Sequence, residues 1–232
     1  MPVHPLKKLS RRLRIPLNKR AAMKRLADYH SSGRSTEETV RWAIEFGGHG
    51  YFKLQTQQKQ SEITSLARAV AEISPATIVE IGTAHGGTLL IWAALASDTV
   101  ISCDLESKDV QAEFLRSLPP PGSACKVTLL QGDSHSARFR ERIIGTLEGR
   151  HVDFLFIDGD HTREGALADF ESYSPLVRPG GLVAFHDIVE SQPLATNQVF
   201  SVWESLRHRF EYSEFIDDPN QRGYGIGLLR MP

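Results

Sequence analysis

The sequence predicts an α/β protein whose mostly parallel sheet carries helices on both faces. From Thr77 onward, short apolar segments typical of strands alternate with longer segments of helical periodicity. Within residues 152–188, two apolar runs, VDFLFI and GLVAF, flank one such helical segment. A strand, a helix and a strand in so short a unit predict a right-handed crossover between neighbouring parallel strands. Near the carboxyl end, the turn-rich segment DDPNQRG predicts an antiparallel hairpin.

Before the sheet, the sequence predicts three helices, at residues 18–31, 36–46 and 61–72. The second follows Ser35-Thr36-Glu37-Glu38, which resembles an N-terminal capping sequence. The predicted strands lie at residues 77–81, 100–103, 126–130, 152–157, 181–185, 211–216 and 224–229. The helices of the sheet region are predicted at residues 87–96, 108–118, 136–147, 162–174 and 197–209. We expect residues 1–60 to form a helical extension, or cap, on one domain that spans residues 61–232.

The composition fits one globular α/β domain with an added helical segment, because 41% of the 232 residues are hydrophobic and 24% are charged. The net charge of −1 does not predict binding to nucleic acid or to an anionic membrane. No run of about 18 apolar residues occurs, so no membrane-spanning helix is expected. The two cysteines, Cys103 and Cys125, lie in or beside strand-like runs and are expected to be reduced thiols of a cytoplasmic protein.

The first 25 residues carry nine Lys and Arg residues and no acidic residue. Such an end is compatible with a targeting peptide, a nucleic-acid-binding arm or a solvated tail. Because no apolar segment follows it, a secretory signal is not expected. We interpret this end as a partly disordered or loosely docked extension.

Acidic and histidine side chains follow two neighbouring strands of the predicted sheet. Asp158, Asp160 and His161 come after the strand VDFLFI, and His186 and Asp187 come after GLVAF. The carboxyl ends of parallel strands are where open α/β sheets bind their ligands. The sequence therefore predicts the reaction centre at this edge of the sheet. Asp160 is better explained as the N-terminal cap of the helix that follows it.

The loop after the first strand, EIGTAHGGT, points to a ligand without a phosphate group. Its glycines, Gly82 and the pair Gly86-Gly87, do not have the G-x-G-x-x-G spacing of a dinucleotide-binding loop, and no P-loop motif is present. Glu80 beside this loop would repel a pyrophosphate, but could bind an ammonium group directly or through water.

Two further acids follow the next strands in order. Asp104 ends the second strand, where an acid commonly accepts hydrogen bonds from ribose hydroxyls, and Asp133 follows the third strand, where it can receive an adenine amino group. The inferred ligand carries a cation, a ribose and an adenine but no phosphate, and S-adenosylmethionine fits that description. Taken alone, the glycine-rich turn is weak evidence and Asp104 could cap a helix. Polar residues at successive strand ends favour the cofactor interpretation.

With these residues the chain resembles the class I S-adenosylmethionine-dependent methyltransferases. The segments EIGTAHGGT, VISCDL and QGDS are similar to the first three motifs of that class. The segments FIDGDH and RPGGLVAFHD are similar to the small-molecule O-methyltransferase group that includes macrocin sugar O-methyltransferases and cephalosporin-hydroxylase-like proteins. The resemblance covers residues 55–230 and implies a Rossmann-like seven-stranded sheet whose last strand is antiparallel.

The resemblance also implies roles for individual positions. The positions that it places at the cofactor are Glu80, Gly82, Thr83, Gly86, Asp104, Asp133, Ser134 and Asp158. It places Asp158, His186 and Asp187 at the divalent-metal positions of the metal-dependent members, and His161 at the general base of the sugar methyltransferases. His186 departs from the acid or Asn usual there. Either His186 is not a ligand, or the metal is softer than Mg²⁺, because imidazole suits Zn²⁺, Mn²⁺ or Fe²⁺ better.

The predicted function is O-methylation of a small-molecule hydroxyl, on a sugar, a glycoside or another natural product. S-adenosylmethionine is the predicted cofactor and His161 the base, with or without help from Mg²⁺ or another divalent metal. The alternative is a non-catalytic S-adenosylmethionine-binding or interaction protein of the same fold. An NAD-dependent oxidoreductase is disfavoured by the missing phosphate-binding pattern. A nucleic-acid substrate is not expected, and a homodimer or higher homo-oligomer is compatible with the architecture.

Overall fold

The computed structural model describes residues 5–32 and 35–232, with side chains from residue 14 onward within those ranges. The helices are α1 (Pro5–Ser31), α2 (Thr36–Glu45), α3 (Gln60–Glu72), α4 (Gly87–Leu95), α5 (Ala112–Arg116), α6 (Ala137–Leu147), α7 (Arg163–Tyr173) and α8 (Val199–Leu206). The strands are β1 (Thr77–Ile81), β2 (Thr99–Asp104), β3 (Lys126–Gln131), β4 (Val152–Ile157), β5 (Val177–His186), β6 (Glu211–Phe215) and β7 (Ile226–Arg230). Short 3₁₀ turns lie at Gly50–Phe52, Ser174–Leu176 and Arg207–Arg209.

The strands form one seven-stranded sheet in the order β3-β2-β1-β4-β5-β7-β6. Strands β1 to β5 pair in parallel, whereas β7 runs antiparallel to both β5 and β6. The predicted fold class and the terminal hairpin are therefore confirmed. Because β1 pairs with β2 on one side and with β4 on the other, the strand order reverses between β1 and β4. Such a switch point opens a crevice at the carboxyl ends of the strands.

Both faces of the sheet are buried, and each face packs into its own apolar cluster. Side chains alternate between the faces along β4, because successive strand residues point in opposite directions. Phe154 and Phe156 point to the face covered by α4, where their rings lie 5.0 and 5.4 Å from the Trp92 ring. Phe185 of β5 points to the other face and packs against Trp203 of α8. Both tryptophans are core residues.

Helix α1 begins at Pro5, well before the predicted start at residue 18. Pro16 lies inside this helix without ending it, although its missing N–H removes one helical hydrogen bond. From Lys19 onward the helix is docked, since Lys19 pairs with Glu113 and Arg25 donates to the carbonyl of Glu45 at 2.7 Å. The prediction of a loosely docked end is therefore wrong for this part, and residues 1–4 lie outside the described residues.

The segment between α2 and α3 crosses the start of α4 at very close range. The capping box predicted before α2 is present, with Ser35 and Glu38 exchanging two hydrogen bonds of 3.2 Å. After α2 the chain turns back, and Thr56 N–H donates to the carbonyl of Ala43 at 3.2 Å. A Cβ placed on Gly87, the first residue of α4, would lie 2.0 Å from the Thr56 nitrogen. Only glycine fits at this crossing.

One predicted helix is longer than the helix in the structure. Helix α5 spans Ala112–Arg116 only, whereas a longer helix over residues 108–118 was expected. Its first predicted residues form a turn, in which Asp109 N–H donates to the Ser107 hydroxyl at 3.2 Å. Such a side chain competes with helical hydrogen bonding.

Both cysteines are free and buried, as predicted.

Of the helices in the described parts of the chain, none combines the length and the apolar character that crossing a membrane requires.

A prediction concerns Asp153, which anchors the start of β1 to β4 and β5. One carboxylate oxygen accepts the N–H groups of Ala76 and Thr77, both at 2.8 Å, and the other accepts Arg178 Nε–H. Partial burial by itself raises the pKa of Asp153, but these donors outweigh burial and lower it. We expect Asp153→Asn to lower the free energy of unfolding at pH 7 by about 1–3 kcal/mol.

The effect should vanish in acid. A carboxylate whose pKa is lowered by folding stabilises the protein above its unfolded pKa of about 3.9, and this stabilisation is lost as the pH falls through the folded pKa. Urea unfolding at pH 7 and near pH 3 measures this difference. Glu211→Gln, at an exposed surface pair with Arg230, is the control and should change the stability by less than about 0.5 kcal/mol. An Asp153→Asn effect of equal size at both pH values would contradict this assignment.

Candidate active site

A cavity of about 620 Å³ lies at the carboxyl ends of β1 to β4. Its lining comes from the four loops that follow these strands: Ile81, Gly82, Ala84, Cys103, Asp104, Leu105, Gly132, Asp133, Ser134, His135, Asp158, Gly159, Asp160 and His161. The cavity therefore lies at the switch point of the sheet, where ligands of open α/β sheets bind.

Most of the predicted cofactor residues line this cavity, and three do not. Gly82, Asp104, Asp133, Ser134 and Asp158 are all among the lining residues. Of the other three, Thr83 is buried beside the Ser102 hydroxyl at 2.6 Å, and Gly86 precedes α4 in the left-handed conformation with a φ of 75°. The third is Glu80.

Glu80 lies behind the cavity rather than in it. Its side chain is fully buried, with one oxygen accepting Trp92 Nε1–H at 2.9 Å and the other accepting the Ser102 hydroxyl. Burial raises the pKa of this carboxyl to about 7. The burial of Glu80 does not support direct contact with an ammonium group, and contact through water stays a prediction. In this structure Glu80 joins β1, β2 and α4 beneath the first loop. The sequence signal was its position inside β1, which is buried on both faces.

Asp104 is held in place by several donors. One oxygen accepts Ala84 N–H at 2.8 Å and lies 2.9 Å from Lys108 Nζ, and the other accepts Glu106 N–H at 2.8 Å. Asp104 does not cap a helix, because α5 begins only at Ala112. The buried Lys108 was not predicted, although its spacing of four residues from Asp104 was a detectable signal. A carboxylate fixed in this way keeps its remaining lone pairs directed into the cavity.

Asp158 is the centre of a cluster formed by the loops after β4 and β5. Asp158 Oδ1 lies 3.0 Å from His186 Nδ1 and 3.3 Å from His161 Nε2. The other ring nitrogen of His161, Nδ1, lies 3.3 Å from Asp187 Oδ2. The structure thus brings together all four residues that the sequence predicted for catalysis or metal binding. Asp187 has a φ of +66°, a strained conformation that aspartate tolerates better than most residues.

Charge pairing determines the protonation of this cluster. Burial by itself would raise the pKa of Asp158, but the neighbouring histidines His186 and His161 lower it to about 2. Burial by itself would lower the pKa of His186, but Asp158 and Asp187 raise it to about 9. The hydrogen bond with Asp158 raises the pKa of His161. At neutral pH the buried pair is therefore a carboxylate and an imidazolium.

Two amide side chains complete the cluster. Gln58 Nε2–H donates to Asp158 Oδ2 at 2.7 Å, and Asn197 Nδ2–H donates to Asp187 Oδ2 at 2.6 Å. Gln58 belongs to the segment that crosses α4, whereas Asn197 precedes α8. The sequence gave no signal for Asn197, because its pairing with Asp187 depends on how the β5–α8 loop folds back.

The predicted metal ligands do not form a metal cradle in this arrangement. Both oxygens of Asp158 already have protein donors, and the His186 nitrogen that faces Asp158 and Asp187 carries a proton because its pKa is raised. His186 Nε2 is buried without a hydrogen-bond partner. In the described part of the chain, no group of three or more His, Cys, Asp or Glu side chains has a geometry suited to a metal ion.

The interpretation of Asp160 as the helix cap needs correction. The cap of α7 is Thr162, whose hydroxyl accepts Gly165 N–H at 3.1 Å. Asp160 instead accepts Thr162 N–H at 2.9 Å, which tightens the turn before the helix.

His85 is not at this cavity. It lines a second cavity of about 580 Å³ between α1 and the β1–α4 loop, together with Lys108.

Comparison with known proteins agrees with this geometry. Residues 79–188 match the profile of a family described as a methyltransferase domain. Over 169 residues, or 68% of its length, the chain is 26% identical to an uncharacterized protein of Sinorhizobium fredii. The chain spans only 17% of that curated relative.

Solved structures with a similar fold include three O-methyltransferases or methyltransferases. TomG of Streptomyces achromogenes, an O-methyltransferase of tomaymycin synthesis in complex with S-adenosylmethionine, has a TM-score of 0.57 at 17% identity, covering 87% of this chain and 92% of that one. An O-methyltransferase of Bacillus cereus with S-adenosylhomocysteine has a TM-score of 0.58 at 18% identity, with 93% and 99% covered. MycE of mycinamycin biosynthesis, with Mg and S-adenosylhomocysteine, has a TM-score of 0.58 at 17% identity, with 87% and 56% covered. The predicted fold is confirmed, and the match of residues 79–188 to a methyltransferase domain agrees with the predicted resemblance.

A prediction follows from the crossing of Gly87 by the Gln55–Gln58 segment. Gly87→Ala places a methyl group 2.0 Å from backbone, which no side-chain rotation can relieve. We expect a loss of about 3 kcal/mol or more in the free energy of unfolding, measured by urea denaturation.

Gly145→Ala is the matched control for this prediction. Gly145 lies inside α6 with open space around its Cβ position, so alanine should stabilise the protein by about 0.5–1 kcal/mol. If Gly87→Ala proved as stable as the wild type, the tight crossing would be disproved.

Proposed function

We propose that this chain, which has the fold of class I methyltransferases and matches their methyltransferase domain, transfers a methyl group from S-adenosylmethionine to a hydroxyl of a small molecule. The observation that carries the proposal is the cavity at the carboxyl edge of β1 to β4, lined by acids that follow successive strands. One end of this cavity opens on the Asp158 and His161 pair. The cofactor and the group that deprotonates the acceptor would therefore be neighbours.

The cofactor would lie across the loops in strand order. Asp104, held by Ala84 and Lys108, would accept the ribose hydroxyls, since its carboxylate is fixed before the ligand arrives. Asp133 and Ser134 would lie beside the adenine. The loop at Gly82 would lie against the methionine part. A Cβ at Gly82 would collide with the Asp158 carbonyl, so glycine allows the loops after β1 and β4 to meet beside the cavity.

His161 would serve as the base for the acceptor hydroxyl. An alcohol is a poor nucleophile at neutral pH, so methyl transfer gains from a base within hydrogen-bonding distance. The Asp158 carboxylate at Nε2 orients the imidazole and stabilises the imidazolium that forms. Nδ1 faces Asp187 and Asn197, so the acceptor hydroxyl would have to replace one of these partners to reach it. Only the neutral form of His161 can accept the proton.

No step of this mechanism passes through a metal. The residues predicted as ligands, Asp158, His186 and Asp187, are engaged with one another and with amide donors. If Mg²⁺ or another divalent ion does bind, Asp158 and Asp187 are the carboxylates that would hold it, and it would lower the pKa of the acceptor hydroxyl.

The similar structures support a small-molecule acceptor. TomG and MycE act in the synthesis of tomaymycin and mycinamycin, and a MycE complex also holds mycinamycin VI. For this chain we propose an acceptor of the same general kind, a hydroxyl-bearing natural product. We also propose that residues 1–60 act as a cap on the domain of residues 61–232. The cap segment that contains Gln58 supports this role, because it contacts Asp158.

Cofactor binding is tested by calorimetric titration with S-adenosylhomocysteine. We expect the wild type to bind it, and Asp104→Asn to raise the Kd by about 10- to 100-fold, because a charged hydrogen-bond acceptor is lost from the ribose site. Asp109→Asn changes an exposed carboxylate outside the cavity and should leave the Kd unchanged. Titrations with and without Mg²⁺ test metal assistance. A wild type that does not bind would contradict the proposed function.

The base is tested by methyl transfer from labelled S-adenosylmethionine to a panel of hydroxyl-bearing sugars, macrolides and phenols. For an acceptor of the wild type, His161→Gln should lower kcat by roughly 10²- to 10⁴-fold and leave the Kd for S-adenosylhomocysteine nearly unchanged. His151→Gln, at an exposed histidine, is the control. Equal rates for His161→Gln and the wild type would rule out the base, and no transfer to any acceptor together with cofactor binding would favour the non-catalytic alternative.

A further inference from the structure

A buried carboxylate on α7 lies directly beneath the cofactor cavity without a role in the site described above. Asp169 is 0% exposed, and its partners are few: the Ser134 hydroxyl lies close enough to lower its pKa, but neither carboxylate oxygen accepts a hydrogen bond of good geometry. One of them, Oδ2, lies 3.5 Å from the Cβ position of Gly159, which lines the cavity. Burial raises the pKa of this carboxyl to about 6. A buried charge with so few partners is costly, so its presence calls for a specific function.

The nearest basic group is His135, which bridges two carboxylates. His135 Nε2 lies 3.5 Å from Asp169 Oδ1, and His135 Nδ1 lies 3.4 Å from Asp133 Oδ1. Asp133 Oδ1 also accepts the backbone N–H of His135 at 3.0 Å. His135 and Asp133 both line the cavity, whereas Asp169 lies below it. The imidazole therefore connects the buried carboxylate to a carboxylate that faces the ligand.

A second contact from α7 holds the same loop. The Tyr173 hydroxyl, one helical turn beyond Asp169, donates to the carbonyl of Ser134 at 2.6 Å. At its end the loop is fixed by Ser136, which caps α6 by accepting Phe139 N–H. The loop that follows β3 is thus anchored from below by α7 at two points four residues apart on one helix face.

We propose that Asp169 and His135 are positioning residues for recognition of the adenine base: Asp169 fixes the ring of His135, and His135 fixes the carboxylate of Asp133. This inference rests on the proposed function, in which Asp133 accepts the adenine 6-amino group. A carboxylate held in this way through Oδ1 can reject a base with a 6-oxo group, since two acceptors would then face each other without a proton between them.

The positioning of Asp133 by Asp169 and His135 is tested by comparing two ligands that differ only at position 6 of the base. S-adenosylhomocysteine carries the 6-amino group, and S-inosylhomocysteine carries a 6-oxo group instead. We expect the wild type to bind the first more tightly, by calorimetry. Asp169→Asn should reduce that preference by about tenfold, because it removes the charge that holds His135.

Two further variants separate positioning from general destabilisation. His135→Ala removes the bridging ring from a partly exposed position and should reduce the preference as Asp169→Asn does. Glu171→Gln alters an exposed carboxylate of the same helix and should leave it unchanged. Thermal unfolding of every variant accompanies the titrations.

The possible outcomes are distinct. A reduced preference for S-adenosylhomocysteine in both Asp169→Asn and His135→Ala supports the inference, even if Asp169→Asn also lowers the Tm. If the variants bound both ligands more weakly by the same factor, the preference would be unchanged. Asp169 would then have only a structural role, and the inference would be overturned. A wild type that binds both ligands equally would overturn the inference while leaving the proposed function intact. A wild type that binds neither would contradict the proposed function itself, and the inference with it.

Discussion

The site depends on one electrostatic constraint, the concentration of negative charge where the parallel strands of the sheet end. Asp104, Asp133, Asp158 and Asp187 all lie at this edge, and each has cationic or amide donors from elsewhere in the chain. Unpaired carboxylates at such short range would repel one another and raise each other's pKa. Lys108, His135, His161 and His186 prevent this, each lying within 3.5 Å of at least one of the acids. The loops are therefore held together by charge pairing before any ligand binds, which is the preorganisation that tight recognition requires.

Much of the fold could be predicted from the sequence because the sheet is buried on both faces. Strands such as β1 and β4 are then nearly continuous apolar runs that end in polar loops, and this pattern is visible in the residues alone. Predictions were poorer where local preference and tertiary packing compete. Helix α5 is shorter than its periodicity indicates, and α1 extends through Pro16. Neither result follows from the local sequence.

The acids of the site were predictable for the same reason, since each one directly follows a strand. Partners that lie far away in the sequence were not predictable. Gln58 lies 100 residues before Asp158 in the sequence, and Asp169 lies 34 residues after His135, so their contacts exist only once the helices have packed. Glu80 shows that a position close to a predicted loop can also mislead. Its position near the loop suggested contact with ligand, but the pleat of β1 directs it toward Trp92 and Ser102 instead.

The crossing of α4 by the Gln55–Gln58 segment has a consequence for the order in which the chain can fold during synthesis. Phe46 and Phe52 leave the ribosome before Phe114, on which they pack and which is made some sixty residues later. Until then the first helices can bury their apolar faces only against one another, as Tyr29 does against Trp42, and contacts of such long sequence separation form slowly. The nascent amino-terminal segment should thus remain a client for chaperones until β2 and α5 have emerged, and slower translation just before Phe114 would prolong that exposure.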